Sequence, residues 1–217
     1  DFSSIDTSLH KRIINLRFDI KAADVSSIVD RIEMSLIRNT LSLSGLVNNA
    51  YFLDVIAHDD MRTVSCDSAL NGLFAFHVKL TLEIMKRGLF TDSSSVVNVS
   101  SMYAKVAPDP SNYPQSIAVN PVLYGSMKAA LSQSTRYLSA NMASHGVRVN
   151  SVSYGPFPSL EVQEKSPDFI ERLASRTHLG RIGKAEESAG VIKFLLSKQS
   201  SYITGADISV DGGWTAW

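Results

Sequence analysis

Short apolar runs alternate with longer amphipathic stretches along most of the chain. Ile13 to Phe18 (IINLRF) reads as a strand ending at Asp19, and Val25, Ile28, Val29, Ile32 and Leu36 then recur at helical spacing. Gly45 to Asn49 (GLVNN) and Ser95 to Ser100 (SVVNVS) read as short strands. Between them the pattern predicts a helix over 62–86, with Leu70, Phe74, Val78 and Leu82 on one stripe that serves as core or subunit interface. A loop at 102–121 carries Pro108, Pro110, Pro114 and Pro121, and a long helix over 122–144 follows, with Gly146 as its C-terminal cap. Val147 to Val152 (VRVNSV) is the next strand, and a Pro/Gly-rich loop (YGPFPS) comes after it. Helices near 167–176 and 185–197 and a last strand at Ile208 to Val210 complete the pattern.

Strands that alternate with helices in this way imply βαβ units and a parallel sheet. In such sheets the chemistry lies beyond the carboxyl ends of the strands. Asn48, Ser101 and the 154–159 loop all fall at such ends, so separate segments of the sequence are expected to converge on one crevice.

Composition narrows the class without naming a function. At 217 residues, with 44% hydrophobic and 19% charged positions, the chain suits one globular domain. Twenty-one basic residues balance 21 acidic ones, which gives no general pull toward nucleic acid or an anionic membrane. No apolar run approaches the ~20 residues of a membrane span. The single cysteine, Cys66, cannot pair within the chain, which points to a reducing, cytoplasmic setting. It has no basic neighbour to make it a thiolate, so packing is its expected role. His10, His58, His77, His145 and His178 lack metal-ligand spacing and are expected on the surface or in loops, so no metal is anticipated.

The most informative spacing is Tyr124-Gly-Ser-Met-Lys128. Residues four apart share a helix face, and a lysine beside a phenol favours the phenolate, drawing its pKa from about 10 toward neutrality. Tyr124 would then be a usable general acid/base. A buried helix anchored by a tyrosine hydroxyl is the plainer alternative.

Taken in order, several stretches resemble the short-chain dehydrogenase/reductase family. They are Leu46-Val47-Asn48-Asn49-Ala50, Asn-Val-Ser-Ser at 98–101, Tyr-x-x-x-Lys at 124–128, Val-Arg-Val-Asn-Ser-Val-Ser at 147–153, Leu-Gly-Arg-Ile-Gly at 179–183, and Tyr-Ile-Thr-Gly with Val-Asp-Gly-Gly between 202 and 213. The resemblance implies a Rossmann-like, doubly wound α/β fold with a parallel sheet. It implies an oxidoreductase that uses NAD or NADP to interconvert a secondary alcohol and a carbonyl on a small polar or sugar-like substrate. By the same resemblance Tyr124 would exchange the proton, Lys128 would lower its pKa and hold the nicotinamide ribose, and Ser101 would hydrogen-bond the reacting oxygen. Asp19 would contact adenine, Asn48 and Ala50 would line the cofactor crevice, and Ser159 would lie near the carboxamide. A homodimer or homotetramer is implied as well. Two plainer roles stand beside these: Asp19 as a cap for the helix starting near Val25, and Asn48 as a tie between strands through its amide.

Departures from the family pattern matter as much. No strand and glycine-rich turn for the pyrophosphate precedes Ile13, so the expectation is an amino-terminally incomplete version of a longer enzyme, a single Rossmann-like domain over 1–217. Ala69 stands where family members carry the asparagine of a proton-relay water chain, and Asn71, two positions on, points about 200° away on a helix. Ser101 and Tyr124 are also farther apart in sequence than is usual, which assigns the extra loop to the substrate pocket. These departures motivate an alternative: a non-redox regulatory or assembly protein on the same fold.

Overall fold

The computed structural model describes residues 13–22, 24–56, 63–115 and 117–217. Four strands form a parallel sheet in the order β1 (Leu43–Asn48), β4 (Phe90–Ser101), β5 (Arg148–Tyr154) and β6 (Asp207–Val210). A two-residue antiparallel ribbon, β2 (Val55–Ile56) and β3 (Thr63–Val64), stands apart from it. The helices are α1 (Val25–Arg38), α2 (Cys66–Leu70), α3 (Phe76–Lys86), α4 (Val122–Met142), α5 (Leu160–Lys165), α6 (Pro167–Ser175) and α7 (Ala185–Leu196). The expected parallel α/β sheet is therefore present.

Alternation along β4 explains why both faces of the sheet are covered. Val96 packs with Leu138, Met142, Val147 and Val149 under α4, whereas its neighbour Val97 packs with Val152 and Leu195 under α7. Side chains on a strand point to opposite faces in turn, so one run of valines nucleates two cores. A third cluster joins α1 to α3 through Ile28, Val29, Phe76, Leu80 and Ile84. Asp24 caps α1, its Oδ2 accepting from the Ser27 amide at 3.2 Å. Asp19 was the alternative cap; instead its Oδ1 accepts from the Lys21 amide at 3.0 Å and closes a local turn.

Two elements differ from the sequence pattern. Ile13 to Phe18 makes no ladder; Ile13 and Ile14 are exposed, and Phe18 packs against the α1 cluster instead. An apolar run becomes a strand only when a neighbouring backbone pairs with it, and no described strand lies beside this one. The second difference lies between α2 and α3, where Asn71–Ala75 is a π-turn. Its extra residue offsets the faces. Ala69, Leu73, Phe76, Leu80 and Ile84 are buried, while Leu70 and Leu82 are exposed, so the Leu70–Leu82 stripe is not the core face.

Buried polar groups fasten β4 to its neighbours. Asn48 Nδ2 donates to Asn98 Oδ1 at 2.7 Å and to Thr81 Oγ1 at 3.0 Å. Asn98 Nδ2 passes the chain on to Thr135 Oγ1 of α4 at 2.9 Å. Two residues along β4, on the same face, Ser100 Oγ meets Ser132 Oγ at 2.8 Å and donates to the Lys128 carbonyl at 3.1 Å. The C-terminal end of α4 stops as expected, with Gly146 in the left-handed region at φ 70°.

The π-turn also brings backbone close to backbone. A Cβ on Gly72 would sit 2.1 Å from the Phe52 carbonyl oxygen. Gly72→Ala is expected to lower unfolding free energy by about 1–3 kcal/mol, the usual cost of overpacking. Urea titration reads this, and an unchanged midpoint would mean the Phe52 segment yields freely.

Candidate active site

The carboxyl ends of β1, β4 and β5 and the first two turns of α4 meet at one crevice. Ser101 is the last residue of β4 and pairs in register with Tyr154 of β5. Its Oγ accepts from the Tyr103 amide at 3.2 Å, capping a short 3-10 turn. That leaves the hydroxyl proton for a second partner, and Tyr124 lines the same cavity as Ser101. Tyr124 lies in the first turn of α4 and Lys128 in the next, so helical spacing puts these two on one face, and Tyr124 shares a cavity with Ser101.

The electrostatics differ from expectation. Tyr124 is held above its ordinary value, first by burial and further by the nearby Tyr51 and Tyr113; the Ser101 hydroxyl acts the other way. Lys128 is not among the groups that move it. The reason is geometric: Lys128 Nζ donates to the Val99 carbonyl at 2.7 Å and lies 5.7 Å from the Tyr51 ring centroid. Burial alone brings the Lys128 ammonium down to about 8. Tyr124 is accordingly a neutral phenol, a proton donor, at neutral pH.

The remaining candidates occupy varied positions. Asn48 is buried, with its amide nitrogen committed to Asn98 and Thr81, which matches the strand-tying role. The Ala50 carbonyl accepts from His77 Nε2 at 2.6 Å. Asp19 and Ser159 are exposed; Ser159 Oγ caps α5, accepting from the Val162 amide at 3.4 Å. Ile20 and Lys21, beside Asp19, line a separate cavity of about 390 Å³ together with Asp24, Phe52 and Asp54. Asn71 lines that cavity as well, away from Tyr124, while Ala69 is buried against Val64 and Leu73. His77, expected on the surface or in a loop, is instead 1% exposed on α3, and burial lowers its pKa, so the ring is neutral. Its position beside Phe76 on the buried face of α3 was the available signal.

Tyr124 and Ser101 open onto a cavity of about 200 Å³ with Met102, Tyr103, Tyr113, Asn120, Phe157 and Phe169 among its walls. The C-terminal turn supports this wall. Asp211 accepts from the Gly213 amide at 3.0 Å and the Thr215 amide at 3.1 Å, and Trp214 packs with Phe169, Leu173, Met102 and Tyr103.

The same residues can be asked whether they suit a nicotinamide dinucleotide. An ammonium has three donors, and Lys128 uses one of them on Val99, leaving two for ribose hydroxyls beside Tyr124. The nicotinamide side therefore fits. A glycine-rich backbone cradle for the pyrophosphate is not among the described residues.

Comparison with known proteins places this architecture. Residues 3–215 match the family model described as enoyl-(acyl carrier protein) reductase. Galactitol 2-dehydrogenase of Rhizobium johnstonii is 31% identical over 233 residues, covering 99% of this chain and 83% of that one. Protein FixR of Bradyrhizobium diazoefficiens is 34% identical over 177 residues, covering 79% of this chain but only 59% of that one. The chain thus spans less than two thirds of the length of that relative. A short-chain dehydrogenase of Leptospira borgpetersenii with bound NAD+ superposes with a TM-score of 0.69 at 24% identity, over 93% of this chain and 80% of that one, a likeness of fold. The chain belongs to the short-chain dehydrogenase/reductase family.

A buried charge in such a site is costly, and the sign is testable. Below pH 8 the folded and unfolded chains both hold the Lys128 proton, and the fold bears the whole cost of the buried charge. Between about 8 and 10.5 only the unfolded chain holds it, so the Lys128 contribution to stability rises with pH across that window. The gap between the two values corresponds to about 3 kcal/mol at most. Lys128→Met, which also gives up the bond to Val99, is expected to stabilise the chain at pH 7 by about 1–3 kcal/mol and to flatten this pH dependence. Thermal melts from pH 7 to 10 read both effects, and a variant less stable than the parent at pH 7 would contradict the argument.

Proposed function

We propose that the chain is an NAD- or NADP-dependent oxidoreductase that interconverts a secondary alcohol and a carbonyl on a small polar or sugar-like substrate. The observation that carries this reading is the meeting of Tyr124 with Ser101 on one cavity at the carboxyl end of β4, with Lys128 one turn further along α4. In the reducing direction Tyr124 gives its phenolic proton to the substrate oxygen while the Ser101 hydroxyl holds that oxygen, and in oxidation the proton returns. A nicotinamide dinucleotide, when bound, supplies or removes the hydride. Lys128 keeps two donors for the ribose hydroxyls.

Asn48 and Ala50 shape the cofactor side of the crevice from the end of β1, with Asp19 serving the adenine end and Ser159 the carboxamide. The name of the Rhizobium relative, a galactitol dehydrogenase, favours a polyol or sugar-like substrate. Exposed Leu82 on α3 and Tyr137 on α4 support self-association through these helices into a homodimer or homotetramer. The lone Cys66, which cannot pair within the chain, favours a cytoplasmic enzyme.

Tyr124→Phe removes the acid/base and leaves the ring in place. It is expected to lower kcat for NADH- or NADPH-linked carbonyl reduction by about 10²–10⁴-fold, with nicotinamide binding largely retained. Absorbance at 340 nm measures the loss. A variant that keeps parental kcat would remove Tyr124 from the chemistry.

A further inference from the structure

The 200 Å³ cavity above Tyr124 has a polar wall that the acid/base machinery does not use. Tyr103 and Tyr113 bring their hydroxyl oxygens within 2.6 Å of each other, and Asn120 Nδ2 donates to Tyr113 at 3.2 Å. All three side chains line the cavity. All three come from the 102–121 loop between Ser101 and Tyr124.

This wall leaves several hydrogen-bonding positions free among the described residues. The tyrosine pair shares one hydrogen bond, so one phenolic proton of the two is uncommitted. The Asn120 carbonyl oxygen and its second amide proton have no partner among the described residues. The wall therefore offers donors and an acceptor side by side, the complement of a hydroxyl, which both gives and takes a hydrogen bond. Phe157, Phe169, Leu173 and Met102 add an apolar surface to the lining, with Phe169 packed on the Tyr113 ring at 5.3 Å between centroids. No Asp, Glu, Lys or Arg is among the described lining residues, so a carboxylate or phosphate held here would lack a countercharge. Burial and the Tyr113 hydroxyl hold the Tyr103 phenol far above its ordinary value, so the wall itself stays uncharged. The volume lies below the usual range for ligand cavities and suits a small substrate.

We propose that Tyr103, Tyr113 and Asn120 form the specificity wall of the site. They select an uncharged ketone or secondary alcohol that carries a further hydroxyl close to the reacting carbon, with its carbon frame against Phe157, Phe169 and Leu173. This rests on the oxidoreductase reading given above and adds its substrate class.

The test compares three small carbonyl probes: hydroxyacetone, butanone of similar size but without the hydroxyl, and pyruvate, which is charged. Each is measured in two ways on the full chain, by NADH- or NADPH-linked turnover and by saturation-transfer NMR, which reads weak binding without turnover. The wall predicts a kcat/KM for hydroxyacetone about 10- to 100-fold above butanone, with pyruvate lowest, because a hydrogen-bonding site rejects an analogue that leaves its polar groups unpaired. In the Tyr113→Phe/Asn120→Ala double variant the preference for hydroxyacetone over butanone should shrink to within about threefold. Circular dichroism checks that the variant is folded, and Tyr113→Phe alone, a smaller change, should give part of the loss.

Equal saturation of all three probes, a preference for pyruvate, or a double variant that weakens hydroxyacetone and butanone alike would each overturn the wall. Selective saturation by hydroxyacetone that disappears in the folded double variant upholds the wall even if no probe is turned over; that result would count instead against the oxidoreductase reading.

Discussion

The site depends on one polar seam between β4 and α4. A helix packed on a strand by apolar contacts alone can slide, because valine against leucine tolerates many registers. Asn98 and Ser100, two apart on β4, bond Thr135, Ser132 and the Lys128 carbonyl, which lie on one face of α4. Buried polar groups left unpaired cost about 1–3 kcal/mol each, so a displaced register would lose several such partners together. Asn48 extends the seam to β1 and, through Thr81, to α3. With α4 fixed in this way, Tyr124 arrives beside Ser101 at the end of the same strand.

The seam also accounts for the unusual state of the site. It holds α4 so close to β4 that Lys128 is buried and its ammonium is turned to the Val99 carbonyl. The lysine is therefore an easily lost cation, down at about 8, and the tyrosine a neutral phenol. His77 follows the same logic from the other side of the crevice, kept neutral by burial and by the Lys128 charge. A site of neutral groups with one marginal charge suits proton transfer, because little solvent has to be rearranged when the proton moves.

Much of this was legible in the sequence, and the reasons are specific. The valines of β4 and β5 and the cap at Gly146 are local signals, and they placed those elements within a few residues. The Tyr124–Lys128 spacing depends only on helix geometry, and the pair lies on successive turns of α4. Ile13 to Phe18 failed as a strand because strand formation needs a pairing partner, which an apolar pattern does not reveal. The π-turn at Asn71–Ala75 escaped because one inserted residue leaves the periodicity intact on each side while shifting the buried face. The lowered Tyr124 pKa was expected from the proximity of Lys128 alone; which way the ammonium points, and how deeply both groups are buried, are tertiary facts. The Tyr103–Tyr113–Asn120 wall was out of reach for the same reason, since its members are joined only by the folded course of the 102–121 loop.

The central claim is that this crevice holds a nicotinamide cofactor against Tyr124 and Lys128. The most direct measurement is titration of the full-length protein with NADH and with NADPH, following energy transfer from protein to nicotinamide. Saturable transfer with at least one of them, weakened when Lys128 is replaced by Met, is the predicted result. A folded protein that gives no transfer with either, or binding indifferent to Lys128, would contradict the account.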